Sequence, residues 1–101
     1  MNQFNKDKER VGYWEKYYSN GNIWYKGNYI NDNKTGYWEK YHTNGKLWYK
    51  GNYNNGKRIG YWEIYYNNGK ITYKGNYING NLIDYWEEYN YNGKSYKTFY
   101  I

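Results

Sequence analysis

The stretch Gly36-Tyr37-Trp38-Glu39-Lys40-Tyr41-His42-Thr43-Asn44-Gly45-Lys46-Leu47-Trp48-Tyr49-Lys50-Gly51-Asn52-Tyr53 reads as two β-strands around an Asn-Gly turn. Asn-Gly suits a two-residue type I′ turn, in which both central residues need positive φ. The same stretch is one copy of a repeat. Asn-Gly recurs at 20–21, 44–45, 68–69 and 92–93, a step of 24 residues. A fixed period of this length marks a repeat architecture and has to be settled before any single element.

Working outward, Tyr-Trp-Glu-x-Tyr opens each copy, at Tyr13, Tyr37, Tyr61 and Tyr85. Tyr-Lys-Gly-Asn-Tyr closes three of them, at 25–29, 49–53 and 73–77, and the fourth departs as Lys97-Thr98-Phe99-Tyr100-Ile101. Terminal repeats depart because they cap a stack. Between copies stand Asn31-Asp32, Asn55-Gly56 and Asn79-Gly80, a second set of hairpin signals. The 3.6-residue helical period is missing throughout. The expected fold is all-β: an elongated, single-layer antiparallel meander of four stacked hairpins, eight strands over residues 12–101. Residues 1–11 form a charged cap or a half-repeat, with Phe4 near the place of a preceding repeat's last Tyr.

Register follows from the turns. A two-residue turn at Asn44-Gly45 sets Glu39 opposite Lys50, Trp38 opposite Gly51 and Tyr41 opposite Trp48. The same arithmetic gives Glu15–Lys26, Glu63–Lys74, Trp14–Gly27 and Trp62–Gly75. Charge and aromatic pairs across a ladder each stabilise by ~0.2–1 kcal/mol. A strand glycine opposite an indole leaves room for the ring to lie over backbone. A two-residue turn at Asn55-Gly56 then sets Tyr49 against Trp62 and Gly51 against Gly60. One face, the packed face, collects Trp14, Trp38, Trp62 and Trp86 with Tyr25, Tyr29, Tyr49, Tyr53, Tyr73 and Tyr77. The open face collects Tyr13, Tyr37, Tyr61, Glu15, Glu39, Glu63, Tyr17, Tyr41, Tyr65, Trp24, Trp48, Lys26, Lys50 and Lys74.

Composition agrees with an aromatic sheet. Of 101 residues 19 are Tyr and 6 are Trp, while Cys and Pro are absent. Rings with polar tips can face a sheet that an aliphatic core cannot. Without Cys, stability comes from packing alone. No apolar run reaches the length of a secretory signal or a membrane span, so a cytoplasmic, soluble protein is expected.

The repeat resembles the MORN repeat variant, as found in bacterial YwqK-type antitoxin proteins. Residues 36–59 and 60–83 carry the likeness best, and it extends from Gly12 to about Tyr96. The resemblance implies a twisted single-layer sheet of hairpins without a cofactor. It also implies neutralisation of a partner protein, or scaffolding near membranes. The Trp/Tyr hairpins of choline- and glucan-binding repeats are a second likeness, one that would require secretion.

Catalytic chemistry is hard to assemble from these residues. His42 is the only histidine and stands where Tyr18 and Tyr66 stand in sister repeats. Glu15, Glu39 and Glu63 recur at scaffold spacing, each with a Lys expected opposite. One His and no Cys give no transition-metal cluster. The reading is therefore a non-catalytic module, with no cofactor and no metal, that docks on and inhibits a partner. A net charge of +6 favours an acidic partner surface. The expected contact residues are Tyr17, Trp24, Lys26, Tyr37, Tyr41, Trp48, Lys50, Tyr61, Tyr65 and Lys74, since large rigid rings with a few cations are the stuff of interfaces. The alternatives are nucleic-acid binding by stacking and Lys contacts, and scaffolding at an anionic membrane surface. The C-terminal strand, ending Phe99-Tyr100-Ile101, offers an open edge for a homodimer.

Overall fold

The computed structural model describes residues 2–100, and the side chains of all but 84, 85 and 95–100 among them. Nine strands form one antiparallel sheet in sequence order. They are β1 (Gln3–Phe4), β2 (Arg10–Tyr17), β3 (Ile23–Ile30), β4 (Asn33–Tyr41), β5 (Leu47–Asn54), β6 (Lys57–Tyr65), β7 (Ile71–Ile78), β8 (Asn81–Tyr89) and β9 (Ser95–Tyr100). The Cα extents of 48 × 34 × 13 Å fit a single elongated layer. The meander is as expected, with one strand more than the eight anticipated.

That extra strand pairs with β2 as the closing strand of one repeat pairs with the opening strand of the next. Phe4 pairs with Arg10 as Tyr29 pairs with Lys34 and Tyr53 with Arg58. Its ring meets Trp14 edge-on at 5.1 Å, as Tyr29 meets Trp38 at 4.9 Å and Tyr53 meets Trp62 at 5.0 Å.

The two sets of turns differ. Asn55 and Gly56 have φ of 50° and 82°, and Asn54 pairs with Lys57, so the turn between repeats is the two-residue type with both central residues left-handed. Asn31-Asp32 and Asn79-Gly80 behave alike. The Asn44-Gly45 turn corrects the expectation. Gly45 N–H bonds to His42 O at 2.9 Å, His42 N–H bonds to Lys46 O at 2.8 Å, and Gly45 is left-handed at φ 89° whereas Asn44 is not among the left-handed residues. This is the three-residue loop, a type I turn closed by a glycine. Asn44 serves it differently: its Oδ1 accepts the Lys46 N–H at 2.9 Å, and its Nδ2 donates to Asn67 O of the next repeat at 2.7 Å.

The longer loop slips the register by one residue beside it. Trp38–Gly51, Glu39–Lys50 and Lys40–Tyr49 pair as expected, but Tyr41 then lies opposite Leu47, not Trp48. Trp48 is the extra residue of a bulge.

Between repeats a second irregularity appears. Asn52 pairs with Ile59, yet Lys50 pairs with Glu63 and Tyr49 with Ile64. Gly60 and Tyr61 are thus accommodated as two additional residues, so Gly51 does not face Gly60 and Tyr49 does not face Trp62. Gly12, Gly36 and Gly60 all hold φ near +70° at this place (72°, 69° and 69°). That conformation costs an ordinary L-residue strain. Because the offset is two residues, side-chain parity survives it.

The core is a chain of rings on the packed face. Trp14, Tyr29, Trp38, Tyr53, Trp62, Ile64 and Tyr77 are buried. Each Tyr sits between successive indoles: Tyr29 lies 5.8 Å from Trp14 and 4.9 Å from Trp38, and Tyr53 lies 6.2 Å from Trp38 and 5.0 Å from Trp62. Most of these contacts are edge-to-face, the favoured arrangement. Trp38 Nε1 donates to Asn28 O at 3.0 Å, and Trp62 Nε1 donates to Asn52 O at 3.1 Å. Trp14 finds the equivalent acceptor, Gln3 O, on β1 at 3.2 Å. The indoles do cover the strand glycines, but from the following repeat: the ring over Gly27 is that of Trp38, and the ring over Gly51 is that of Trp62.

Candidate interaction site

Among the described residues the open face carries one motif complete in three repeats. Glu39 accepts from Tyr37 Oη at 2.7 Å and from Tyr41 Oη at 2.6 Å. Glu15 does the same for Tyr13 and Tyr17 at 2.8 Å each, and Glu63 for Tyr61 at 2.9 Å and Tyr65 at 2.5 Å. Three residues on one strand at i, i+2 and i+4 face the same way, so the Glu holds both rings. A Lys completes the unit. Lys26 and Lys50 are register partners of Glu in both flanking strands, and their ion pairs fall on the next repeat: Lys26–Glu39 and Lys50–Glu63, each at 3.3 Å. Lys74 is in register with Glu63 and Glu87, and its ammonium lies 5.8 Å from the Tyr89 ring.

This network fixes protonation. Burial pushes the Tyr13, Tyr37 and Tyr61 hydroxyls up, aided by the bond to Glu, to about 12 in each case. Tyr41 and Tyr65 are raised as well, for the same reasons. Burial alone would raise Glu39 and Glu63, but bonds from two tyrosines and a lysine outweigh it and hold both below the ordinary carboxylate value.

The bulges decide which rings stand out. Tyr37 and Tyr61 are the second residues of the glycine bulges, and each remains 49 % exposed, with Tyr13 at 37 %. They form a row at repeat spacing. Tyr17 is exposed too, while Tyr41 and Tyr65 are half-buried beside their Glu.

Trp24 and Trp48 do not join that row. The bulge residue rotates out of alternation, and both indoles lie on the packed side. There the Lys40 ammonium sits 5.9 Å from Trp24, 4.8 Å from Trp48 and 5.8 Å from Tyr49. His42 stacks on Trp48 at 4.8 Å, and its Nε2 bonds to Tyr65 O at 3.0 Å. Tyr18 and Tyr66 use their hydroxyls likewise, on Tyr41 O at 2.6 Å and Tyr89 O at 2.9 Å. His42 therefore fills a Tyr place.

The sequence reading missed a hollow of about 480 Å³ on the packed side, lined by the cations Arg10, Lys34 and Lys40, the carboxylate Asp32, and Trp24 and Tyr29 among others. Arg10, Lys34 and Arg58 occupy one position in three repeats, each over the ring chain: Arg10 4.3 Å from Tyr29, Lys34 5.0 Å from both Trp38 and Tyr53, Arg58 4.6 Å from Trp62. The signal was present in the 24-residue spacing of these cations, and Leu82 ends the series.

Among the described residues, no group of three His, Cys, Asp or Glu is placed to hold a metal, and no helix is long and apolar enough to cross a membrane. β1 and β9 are the sheet's edges. The side chains of Phe99 and Tyr100, and Ile101 altogether, lie outside the described residues, and so does the expected exposure of that edge.

A one-layer sheet of 24-residue hairpins, with an indole chain on one side and a Tyr–Glu–Tyr ladder on the other, defines a hairpin-repeat protein. Residues 10–31, 34–55 and 58–79 match the MORN repeat variant, together more than half of the chain, and the chain belongs to that family. The matched stretches begin at Arg10, Lys34 and Arg58, two residues before the bulge glycines. No curated protein matches the chain.

Proposed function

We propose that the chain is a non-catalytic protein-binding module, acting in the cytoplasm, that docks its open face on a partner protein and inhibits it in the manner of an antitoxin. The observation that carries this is the row of Tyr13, Tyr37 and Tyr61: exposed, at equal spacing, and each held by a Glu on a rigid ladder. Aromatic rings whose rotamers are already fixed lose little entropy on contact, which is what an interface anchor needs. Lys26 and Lys50 are engaged by Glu39 and Glu63, which favours a protein over nucleic acid or an anionic membrane on this face.

The test is capture from a lysate of the source organism by the immobilised chain, with Tyr37→Ala/Tyr61→Ala alongside. One protein retained in stoichiometric amount by the parent and lost by the variant supports the reading. A captured protein that the folded variant retains equally well overturns it.

A further inference from the structure

The three ring-capping cations differ in one respect. Arg10 has an internal counter-ion: its Nε and its backbone N–H each bond Asp32 Oδ1 at 2.8 Å. Asp32 is the second residue of its turn and donates its own N–H to Arg10 O at 3.0 Å. One repeat on, Gly56 takes that place, with N–H to Lys34 O at 2.9 Å, and in the next Gly80 donates to Arg58 O at 2.9 Å. Repeats two and three thus keep the cation and lack the carboxylate. Arg58 is partly served by Tyr73 and Tyr77 Oη at 3.3 and 3.0 Å. The Lys34 ammonium makes no ion pair or hydrogen bond among the described residues, and the charges that act on it most are the cations Lys40, Arg58 and Arg10. Burial and those like charges lower its pKa, as expected for an ammonium awaiting an anion.

We propose that the hollow over Lys34 is a socket for an acidic side chain of a partner polypeptide, received by Lys34 and Lys40, with Arg58 as a second socket one repeat along. The first repeat shows the chemistry that fits, because there the chain's own Asp32 carboxylate fills the equivalent place. The hollow reaches Gly56, where that carboxylate would originate. Two strand spacings separate successive cations, roughly 10 Å. A polyproline II peptide matches this with acidic residues three apart, one turn of about 9 Å that leaves both on the same side. This socket lies on the face opposite the tyrosine row and stands independently of it.

The test is calorimetric titration of the full chain at low salt. The probe is an end-capped Gly/Ser peptide carrying two Glu three residues apart, with the Gln version as control. The Glu peptide should bind and the Gln peptide should not. Lys34→Gln should weaken binding about tenfold, with Lys34→Arg restoring it. Gly56→Asp should also weaken it about tenfold, by supplying the carboxylate from within, on a backbone that Asp32 already adopts at φ 68°. Circular dichroism confirms folding, and if Gly56→Asp does not fold, the Lys34→Gln and Lys34→Arg pair decides. Unchanged binding in the folded variants, or no binding by the parent, overturns the proposal. So does preference for inorganic phosphate or anionic-lipid vesicles over the peptide with the same dependence on Lys34, which would make the site one for phosphate. Tyr37→Ala/Tyr61→Ala should bind the peptide normally, which separates failure here from failure of the tyrosine row.

Discussion

The indole of Trp62 lies so close over Gly51 that a Cβ built on that glycine would come 2.2 Å from two of its ring carbons. Trp38 stands in the same relation to Gly27. Both indoles are essentially fully buried although the sheet has no second layer above them. Each ring is covered by the tyrosines on either side and floored by neighbouring backbone, so the glycine is a packing surface. Gly51→Ala should therefore destabilise by roughly 1–3 kcal/mol or more through overpacking against a rigid ring. Gly60→Ala meets no atom within 4 Å, so only backbone strain at φ 69° applies, of about 1–2 kcal/mol. Urea denaturation of the two variants measures the difference. Gly51→Ala should also perturb the Trp fluorescence of the folded state, and Gly60→Ala should not.

Glu39 ties two tyrosines of its own strand to a lysine of the previous repeat. Glu39→Gln keeps the shape and removes the charge. It should cost about 1 kcal/mol, since charge-assisted bonds are weakened and not left unmade. The Tyr37 and Tyr41 hydroxyls should titrate at lower pH in the variant, because the carboxylate that raised them is gone. Tyrosinate absorbance against pH reads this.

The tyrosines also set an alkaline limit. Tyr13, Tyr29, Tyr37, Tyr61 and Tyr77 are raised by burial, foremost, from 10.0 to about 12 in the folded chain. Above pH 10 the unfolded chain loses these protons and the folded chain keeps them, so the unfolded state is favoured. Their contribution to stability is complete below pH 10 and lost as pH rises through about 12. Lys34, lowered by burial, works in the opposite sense, but it is one group against several. Thermal melts from pH 8 upward should show a midpoint that falls from about pH 10.

Phe4 completes the ring chain at its first end, edge-on to Trp14, while Gln3 O accepts from the Trp14 indole. Phe4→Ala should cost about 0.5–1.5 kcal/mol for the aromatic pair in addition to its buried area. The loss should be local: amide exchange should quicken in β2 and β3 and stay unchanged in β6 and β7, because repeat arrays couple mainly between neighbours.

Much of this was legible in the sequence, for a reason that particular residues show. Glu39–Lys50 and Trp38–Gly51 follow from parity and period, and they hold in the structure. The two faces were assigned well even though the bulge at Gly60-Tyr61 was not foreseen, because a two-residue offset returns every side chain to its own face. The one-residue slip beside Asn44-Gly45 is different. It set Tyr41 against Leu47 and turned Trp24 and Trp48 to the other side. Asn-Gly serves both the two-residue and the three-residue loop, so the dipeptide alone does not choose between them. The hollow escaped notice because Arg10, Lys34 and Arg58 lie outside the Tyr- and Trp-rich motifs that announce the repeat.

Side-chain footprinting of the chain, alone and saturated with the protein it captures, tests the tyrosine row most directly. Tyr13, Tyr37 and Tyr61 should become protected together, while Trp48, exposed on the packed side, keeps its rate of labelling. Equal labelling of the three tyrosines in the free and the bound chain would contradict docking through the open face.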